Sequence, residues 1–333
     1  MIECFLTNLY SIDVMAPFCI EMKKRGYECH MALDKLFWKL SYGEHFDIQK
    51  AIKKADKWGV KLNLRLNYEA DIAVTQWRVD WALFGLYKNL KARMSYGVGL
   101  NKKTNFAEND FRFDLYFVNG NLEKDVLIKN GVDIERIIQI GSPKLKYQKI
   151  NYFIQKTKPI ITYLPTWDEF NCIDIAIQKL KLFRDKYDIY IKPHPLQSKE
   201  DLKKLSQFNL LSKNITLKSV VEFSDIIVGD LKSGVLCECL YFKDIPIFAF
   251  TQTKHLQFYY KSYKQFEDII TENKDINLNI RKDKIKLIDY CFSEDKVYNF
   301  KVTKISPTIE NITELDILKQ RLENTYKHKR GEE

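Results

Sequence analysis

No stretch of about 18 uninterrupted apolar residues occurs in this 333-residue sequence, which argues against a membrane-spanning helix. The first residues, Met1-Ile-Glu-Cys-Phe-Leu-Thr-Asn8, have neither a basic start nor a long apolar run. They are therefore expected to form a first strand and not a signal peptide. Paired cysteine spacing is missing too. The seven cysteines, at 4, 19, 29, 172, 237, 239 and 291, are odd in number, and Cys237 and Cys239 would point to different faces of a helix. They read as small core residues in a reducing cytoplasm, with no metal and no cofactor expected. An arginine-rich arm, a zinc spacing and an RNA-binding aromatic motif are all lacking, so nucleic acid is a poor fit as partner.

What the chain does have is apolar material for two cores. Hydrophobic residues make up 45% and aromatics 14%, and the length suits two domains of roughly 150 residues each. Strand and helix signals alternate from the start. Ile2 to Leu6 is short and apolar, and Val14 to Lys24 has helical spacing through Met15, Phe18, Cys19 and Met22, with Gly26 as its stop. Tyr27–Leu33, Val60–Leu64, Ile72–Val74, Phe113–Val118 and Ile137–Ile140 read as further strands, with helices such as Glu123–Asn130 between them. Such alternation predicts an α/β fold with parallel, doubly wound sheets. Lys144–Lys158, polar, lysine-rich and closed by Pro159, is the expected linker. The domain boundaries are accordingly placed at 1–150 for an acceptor domain and 151–310 for a donor domain, with a C-terminal helix and basic tail over 311–333. That helix runs from Thr313 to Tyr326, with Leu315, Leu318 and Leu322 on one stripe.

Three segments of the second half carry the chemistry. Ile226-Ile-Val-Gly-Asp230-Leu-Lys232-Ser233-Gly234-Val-Leu-Cys-Glu238 reads as strand, turn and helix, and Lys243-Asp-Ile-Pro246 leads into another strand. A small-residue turn at a helix N-terminus leaves amide groups that can hold an anion, a phosphate above all. Glu238, one turn into the helix, could accept hydrogen bonds from ribose hydroxyls; Ser-Gly also opens many ordinary helices. Ile160 to Leu164 is a strand ending in Pro165-Thr166-Trp167-Asp168, and Asp188 to Ile191 one ending in Lys192-Pro193-His194-Pro195. In a parallel sheet the carboxyl ends share one edge. Thr166, Trp167, Lys192, His194, Asp230, Lys232, Ser233, Gly234 and Glu238 are therefore expected around one nucleotide.

Leu164-Pro-Thr-Trp167, Lys192-Pro-His-Pro195 and Gly229-Asp-Leu-Lys-Ser-Gly234 followed by Lys243-Asp-Ile-Pro246 resemble the successive motifs of the CDP-glycerol glycerophosphotransferase family, with a weaker echo at Ile140-Gly141-Ser142-Pro143-Lys144. The resemblance covers mainly residues 158 to 255. It implies a GT-B fold, two Rossmann-like doubly wound domains facing across a cleft, and work on teichoic-acid-type or capsular polymers. Two departures stand out. Where the family places a His-Gly-Thr-Pro-Leu-Lys segment, this chain has Tyr96-Gly97-Val-Gly99-Leu100-Asn101-Lys102, without the histidine expected as base. Where Arg commonly follows the motif's Trp, Asp168 stands here.

The resemblance thus implies a transferase moving a polyol phosphate from a CDP-activated donor to a glycan or lipid-linked glycan acceptor. The alternative on the same fold is an inverting glycosyltransferase using a nucleotide sugar; a sugar-nucleotide epimerase and a non-catalytic subunit are further readings. No Asp-x-Asp motif is present, in keeping with metal-free neutralisation of the leaving phosphate. His194, in its Pro-flanked loop, is the candidate for donor-phosphate contact or catalysis. Asp13, expected in the turn after the first strand, is the candidate base, with an N-cap as its other reading. Tyr96, Gly97 and Gly99 are candidates for acceptor contact or for a simple turn. A formal charge of +10 suggests a cytoplasmic protein held peripherally on an anionic membrane face; an AT-rich coding sequence would enrich lysine equally.

Overall fold

A computed structural model describes residues 1–35, 47–76, 84–95, 97, 113–167, 171–230, 233–243 and 245–250. They form two compact units, one holding the described residues up to Ser95 together with 113–144, the other holding Gly97 and running onward from Leu145, so that the boundary falls within the short helix Pro143–Lys146.

The first unit contains β1 (Ile2–Phe5), α1 (Ile12–Lys24), β2 (Cys29–Ala32), α2 (Ile48–Lys57), β3 (Leu62–Asn63), β4 (Ile72–Thr75), β5 (Leu90–Met94), β6 (Leu115–Val118), α3 (Asn121–Lys129), β7 (Ile137–Gln139) and the single turn α4 (Pro143–Lys146). Its strands lie in the order β3-β2-β1-β4-β5-β6-β7, and every pairing is parallel. The chain starts in the middle, winds outward to β3 and then returns past β1 to wind the other way, the doubly wound pattern with its switch point between β1 and β4. β1, β2, β4 and β6 are buried along their whole length, because helices cover both faces of such a sheet. α1 presents Met15, Phe18, Cys19 and Met22 to one face, all fully buried. Each large apolar side chain so covered contributes about 1.5–3 kcal/mol. Past the C-cap Arg25, Gly26 takes φ 87°, a left-handed conformation that ends the helix at low steric cost.

The second unit contains β8 (Ile160–Leu164), α5 (Ile173–Lys181), β9 (Asp188–Ile191), α6 (Lys199–Leu205), β10 (Asn209–Leu210), α7 (Leu217–Phe223), β11 (Ile226–Asp230), α8 (Val235–Phe242) and β12 (Ile247–Phe250). The order β10-β9-β8-β11-β12, again all parallel, repeats the same winding with a switch point between β8 and β11. Ile161, Tyr163, Ile177, Leu180, Ile189, Ile191 and Val228 form its core on the α5 side. Residues 147–159 carry no helix or strand, yet they are pinned to the start of α7: the Asn151 amide donates to Ser219 Oγ at 2.8 Å, and Thr216 Oγ1 donates to the Lys149 carbonyl at 2.8 Å.

The structure extends the sequence reading in three places. β5 was not expected, and α1 begins at Ile12, two residues before the expected start. The expected strand Val60–Leu64 shortens to the two-residue edge strand β3, and β10, also two residues long, is too short for any pattern. The expected helix Thr313–Tyr326 and the basic tail lie outside the described residues.

Candidate functional site

The carboxyl ends of β9, β8 and β11 lie side by side, and the segments leaving them carry most of the expected nucleotide-binding residues. Asp230 closes β11 and is 1% exposed. Its Oδ1 accepts from the Tyr163 hydroxyl at 2.7 Å and its Oδ2 from the Thr166 amide at 2.7 Å. The carboxylate therefore bridges the two sides of the switch point, tying the segment after β8 to the end of β11. Burial pushes its pKa up to about 7, against the opposing effect of these donors and of Cys172. Asp230 was expected to face ligand; instead it points inward and positions Thr166.

Next to Thr166, the indole of Trp167 stacks on the His194 imidazole, with centroids 5.9 Å apart and planes 18° from parallel. Trp167 is 39% exposed. The loop Lys192–Pro195 turns back so that the Leu196 amide donates to His194 Nδ1 at 3.1 Å. With its lone pair on Nδ1, the neutral ring carries its proton on Nε2, as a donor. Thr166, Trp167, His194 and Asp230 thus form one connected group at the switch-point edge, where doubly wound sheets bind ligands.

Other expected members sit elsewhere. Lys192 turns to the neighbouring loop, where its Nζ donates to the carbonyls of Ser212 at 3.2 Å and Lys213 at 3.0 Å. These contacts brace the segment after β10, and burial and the nearby Lys213 lower the Lys192 pKa to about 8. Ser233 was expected to offer an unpaired amide, but that amide donates to the Asp230 carbonyl at 2.8 Å. Gly234, at the N-cap, has helical φ −62° and ψ −18°. Glu238 lies in the first turn of α8 as expected, but at 8% exposure little of it is open to a ribose. Lys232 and Asp168 lie outside the described residues.

In the first unit, Asp13 is not in the turn after β1 but is the second residue of α1, and Ser11 holds the N-cap position. Its Oδ2 accepts from Lys54 Nζ at 2.6 Å, and the same ammonium donates to the Leu9 carbonyl at 2.9 Å. Tyr96 and Gly99 lie outside the described residues; Gly97 forms a bend between them. After β7, Gly141 takes the left-handed φ 65° that turns the chain into α4. There Ser95, Asn119 and Ser142 line a small cavity of about 10 Å³ at the carboxyl edge, room for one water.

Sequence reasoning missed Glu123 and Glu3. Glu123 is 1% exposed and accepts from the Asn119 amide at 2.6 Å and from Asn119 Nδ2 at 3.0 Å; burial raises its pKa to about 7. Glu3, buried within β1, lies 2.8 Å from His30 Nε2 and accepts from the Asn67 amide at 2.9 Å and the Tyr87 hydroxyl at 2.5 Å. An acidic residue inside an apolar strand is the signal for such a network.

No protein-family model matches the chain, and no curated protein sequence does. Solved structures do resemble it in fold. A putative UDP-N-acetylglucosamine 2-epimerase from Listeria monocytogenes superposes with a TM-score of 0.55 at 11% identity, covering 95% of this chain and 94% of that one. The wall teichoic acid polymerase TagF, in a variant soaked with CDPG, gives 0.53 at 16% identity over 98% and 89%. The UDP-GlcNAc 2-epimerase from Neisseria meningitidis bound to UDP-GlcNAc gives 0.52 at 13% identity over 96% and 99%. With two doubly wound parallel sheets and these likenesses along nearly its full length, the chain has the GT-B fold, built of two Rossmann-like domains.

Proposed function

We propose that this chain is a transferase using a nucleotide-activated donor, moving a polyol phosphate from a CDP-polyol to a glycan hydroxyl. The observation that carries the reading is the group Thr166, Trp167 and His194, fixed by Asp230 across the switch point of the second sheet. His194, held at that edge through its Nδ1, is suited to contact a diphosphate oxygen, and the exposed Trp167 face offers a surface for a flat or apolar part of the donor. The resemblance of Leu164–Trp167 and Lys192–Pro195 to the glycerophosphotransferase motifs supplies the choice of donor.

In this reaction the acceptor oxygen bonds to the β-phosphorus while the bond from that phosphorus to the bridging oxygen breaks. CMP leaves with the electron pair, and the acceptor proton is lost to a base or to solvent. His194, with Nδ1 occupied and its proton on Nε2, acts on the departing or transferred phosphate and not as that base. Tyr96 in place of the family's histidine favours a second reading, a nucleotide-sugar enzyme on the same scaffold.

Product analysis separates the two. Release of CMP from a CDP-polyol in the presence of a glycan acceptor is the expected result. Release of a nucleoside diphosphate would replace phosphoryl transfer with glycosyl transfer, and conversion of one nucleotide sugar into its epimer would make the chain an epimerase. Failure of CMP, CDP, UMP, UDP and GDP alike to raise the melting temperature would remove the nucleotide site itself, since a ligand at about 100 times its Kd stabilises by roughly 2.7 kcal/mol.

A further inference from the structure

Cys4 in β1, Cys19 on α1 and Cys29 at the start of β2 converge inside the first unit. Their sulfurs all lie within 4.8 Å of one another, with Cys19 Sγ 3.6 Å from Cys4 Sγ and 3.3 Å from Cys29 Sγ. None of the three is more than 1% exposed. The parallel register of β1 and β2, with Ile2 opposite Cys29 and Cys4 opposite Met31, sets Cys4 and Cys29 on one face of the sheet. α1 crosses that face and brings Cys19. Sequence spacing could not reveal this, because the ligands come from three separate elements.

We propose that these three thiols bind one soft monovalent cation, Cu(I), in trigonal all-sulfur coordination. Donor type comes first: a set of three sulfurs selects a thiophilic d10 ion over the hard cations that prefer oxygen. Donor number follows. Among the described residues no fourth His, Cys, Asp or Glu atom joins the group, and three ligands satisfy Cu(I), whereas structural zinc takes four. The spacing also fits, since a metal–sulfur bond of about 2.3 Å places the corners of a trigonal plane about 4 Å apart. Side-chain rotations that widen these two contacts, now 3.6 and 3.3 Å, by roughly half an ångström would close the site.

A cavity of about 270 Å³ lies beside β2, lined by Lys23, Glu28, Cys29, His30 and Lys61. The thiols release their protons to solvent on binding, and the nearby Lys23 offsets part of the negative charge left behind. The bound ion would clamp α1 to β1 and β2, and the site is independent of the transferase reading.

The test uses the reduced, full-length protein, kept under nitrogen and titrated against a chromophoric Cu(I) chelator. One Cu(I) per chain should be withdrawn from the chelator, the melting temperature of the wild-type protein should rise, and X-ray absorption should report sulfur neighbours alone at about 2.3 Å. Cys4→Ser, Cys19→Ser and Cys29→Ser should each lose this uptake, while Cys172→Ser, equally buried but in the second unit, should keep it. Should the cluster variants fold poorly, the wild-type absorption spectrum and melting shift decide by themselves.

Copper left with the chelator, nitrogen or oxygen in the first shell, or equal loss in Cys172→Ser would overturn the proposal. Tighter uptake of Zn(II) than of Cu(I) would overturn the choice of ion. A Cys19–Cys29 disulfide in aerobic protein, with no Cu(I) uptake after reduction, would assign the cluster to redox chemistry instead.

Discussion

Asp230 and Glu123 are carboxyl groups that folding makes hard to ionise. Burial lifts Asp230 from 3.8 to about 7 and Glu123 from 4.5 to about 7. Both folded values exceed the unfolded ones, so between about pH 4 and 7 the folded chain holds more protons than the unfolded chain. The stability they contribute is complete below the unfolded values and is lost as pH rises through 7. Urea unfolding midpoints should therefore fall from pH 5 to pH 7.5, and the double variant Asp230→Asn, Glu123→Gln should show a flatter profile. A wild-type midpoint that climbs across this window contradicts the burial effect. His194 gives a second prediction at the same scale. On the proposed reading its Nε2–H binds donor in both ground and transition states, so His194→Ala should raise the Michaelis constant for donor as well as lower kcat. A fall in kcat with the Michaelis constant unchanged would make it a base instead.

Among the elements, β1, α1, β8, β9, β11 and β12 were legible because the apolar runs of the strands are short and bounded, and because Met15, Phe18, Cys19 and Met22 recur at helical spacing. β5 was not, since Lys91 and Arg93 interrupt Leu90–Met94 although both side chains are buried. Tertiary structure can cover a charged residue that local pattern assigns to solvent. α2 was passed over despite Ile48, Ala51, Ile52 and Ala55 at helical spacing, its stripe being small amid lysines. The site was legible as an edge and not as contacts: which strand ends meet follows from parallel winding, whereas the inward turn of Asp230 and the sideways turn of Lys192 depend on partners about twenty to sixty residues away. Gly229 tests the packing of α8 on β11. A Cβ there would meet Leu236 Cδ2 at 2.5 Å and the Leu164 carbonyl oxygen at 3.2 Å. Gly229→Ala should therefore cost about 1–3 kcal/mol and, by shifting α8, weaken nucleotide binding. An unaltered melting temperature would show that Leu236 repacks freely.

For the molecule as a whole, two features bear on where it works. No helix among the described residues is long and apolar enough to cross a membrane, and the chain carries a formal charge of +10. Lysine attraction to anionic lipid amounts to about 1 kcal/mol per residue close to the surface and decays over a Debye length of about 10 Å at 0.1 M salt. Sedimentation with anionic vesicles at low salt, release as salt rises and indifference to neutral vesicles are the expected outcome. Equal recovery in the supernatant with and without anionic lipid would refer the charge to composition alone.

The all-parallel winding also governs how the chain comes to be folded. No ladder in either sheet is a hairpin, so no strand can pair with the one that follows it until an intervening crossover has been made. β1 precedes its neighbour β4 by a long stretch of chain, and across that apolar edge Ile2 meets Ile72, seventy residues further on. At the 5–20 residues per second of synthesis, that apolar edge waits several seconds for β4. Loop closure over such separations makes refolding slow compared with helical proteins of the same size. Until β4 arrives, the open edge of β1 can pair with any other exposed strand, which sets a hazard of misassociation during folding.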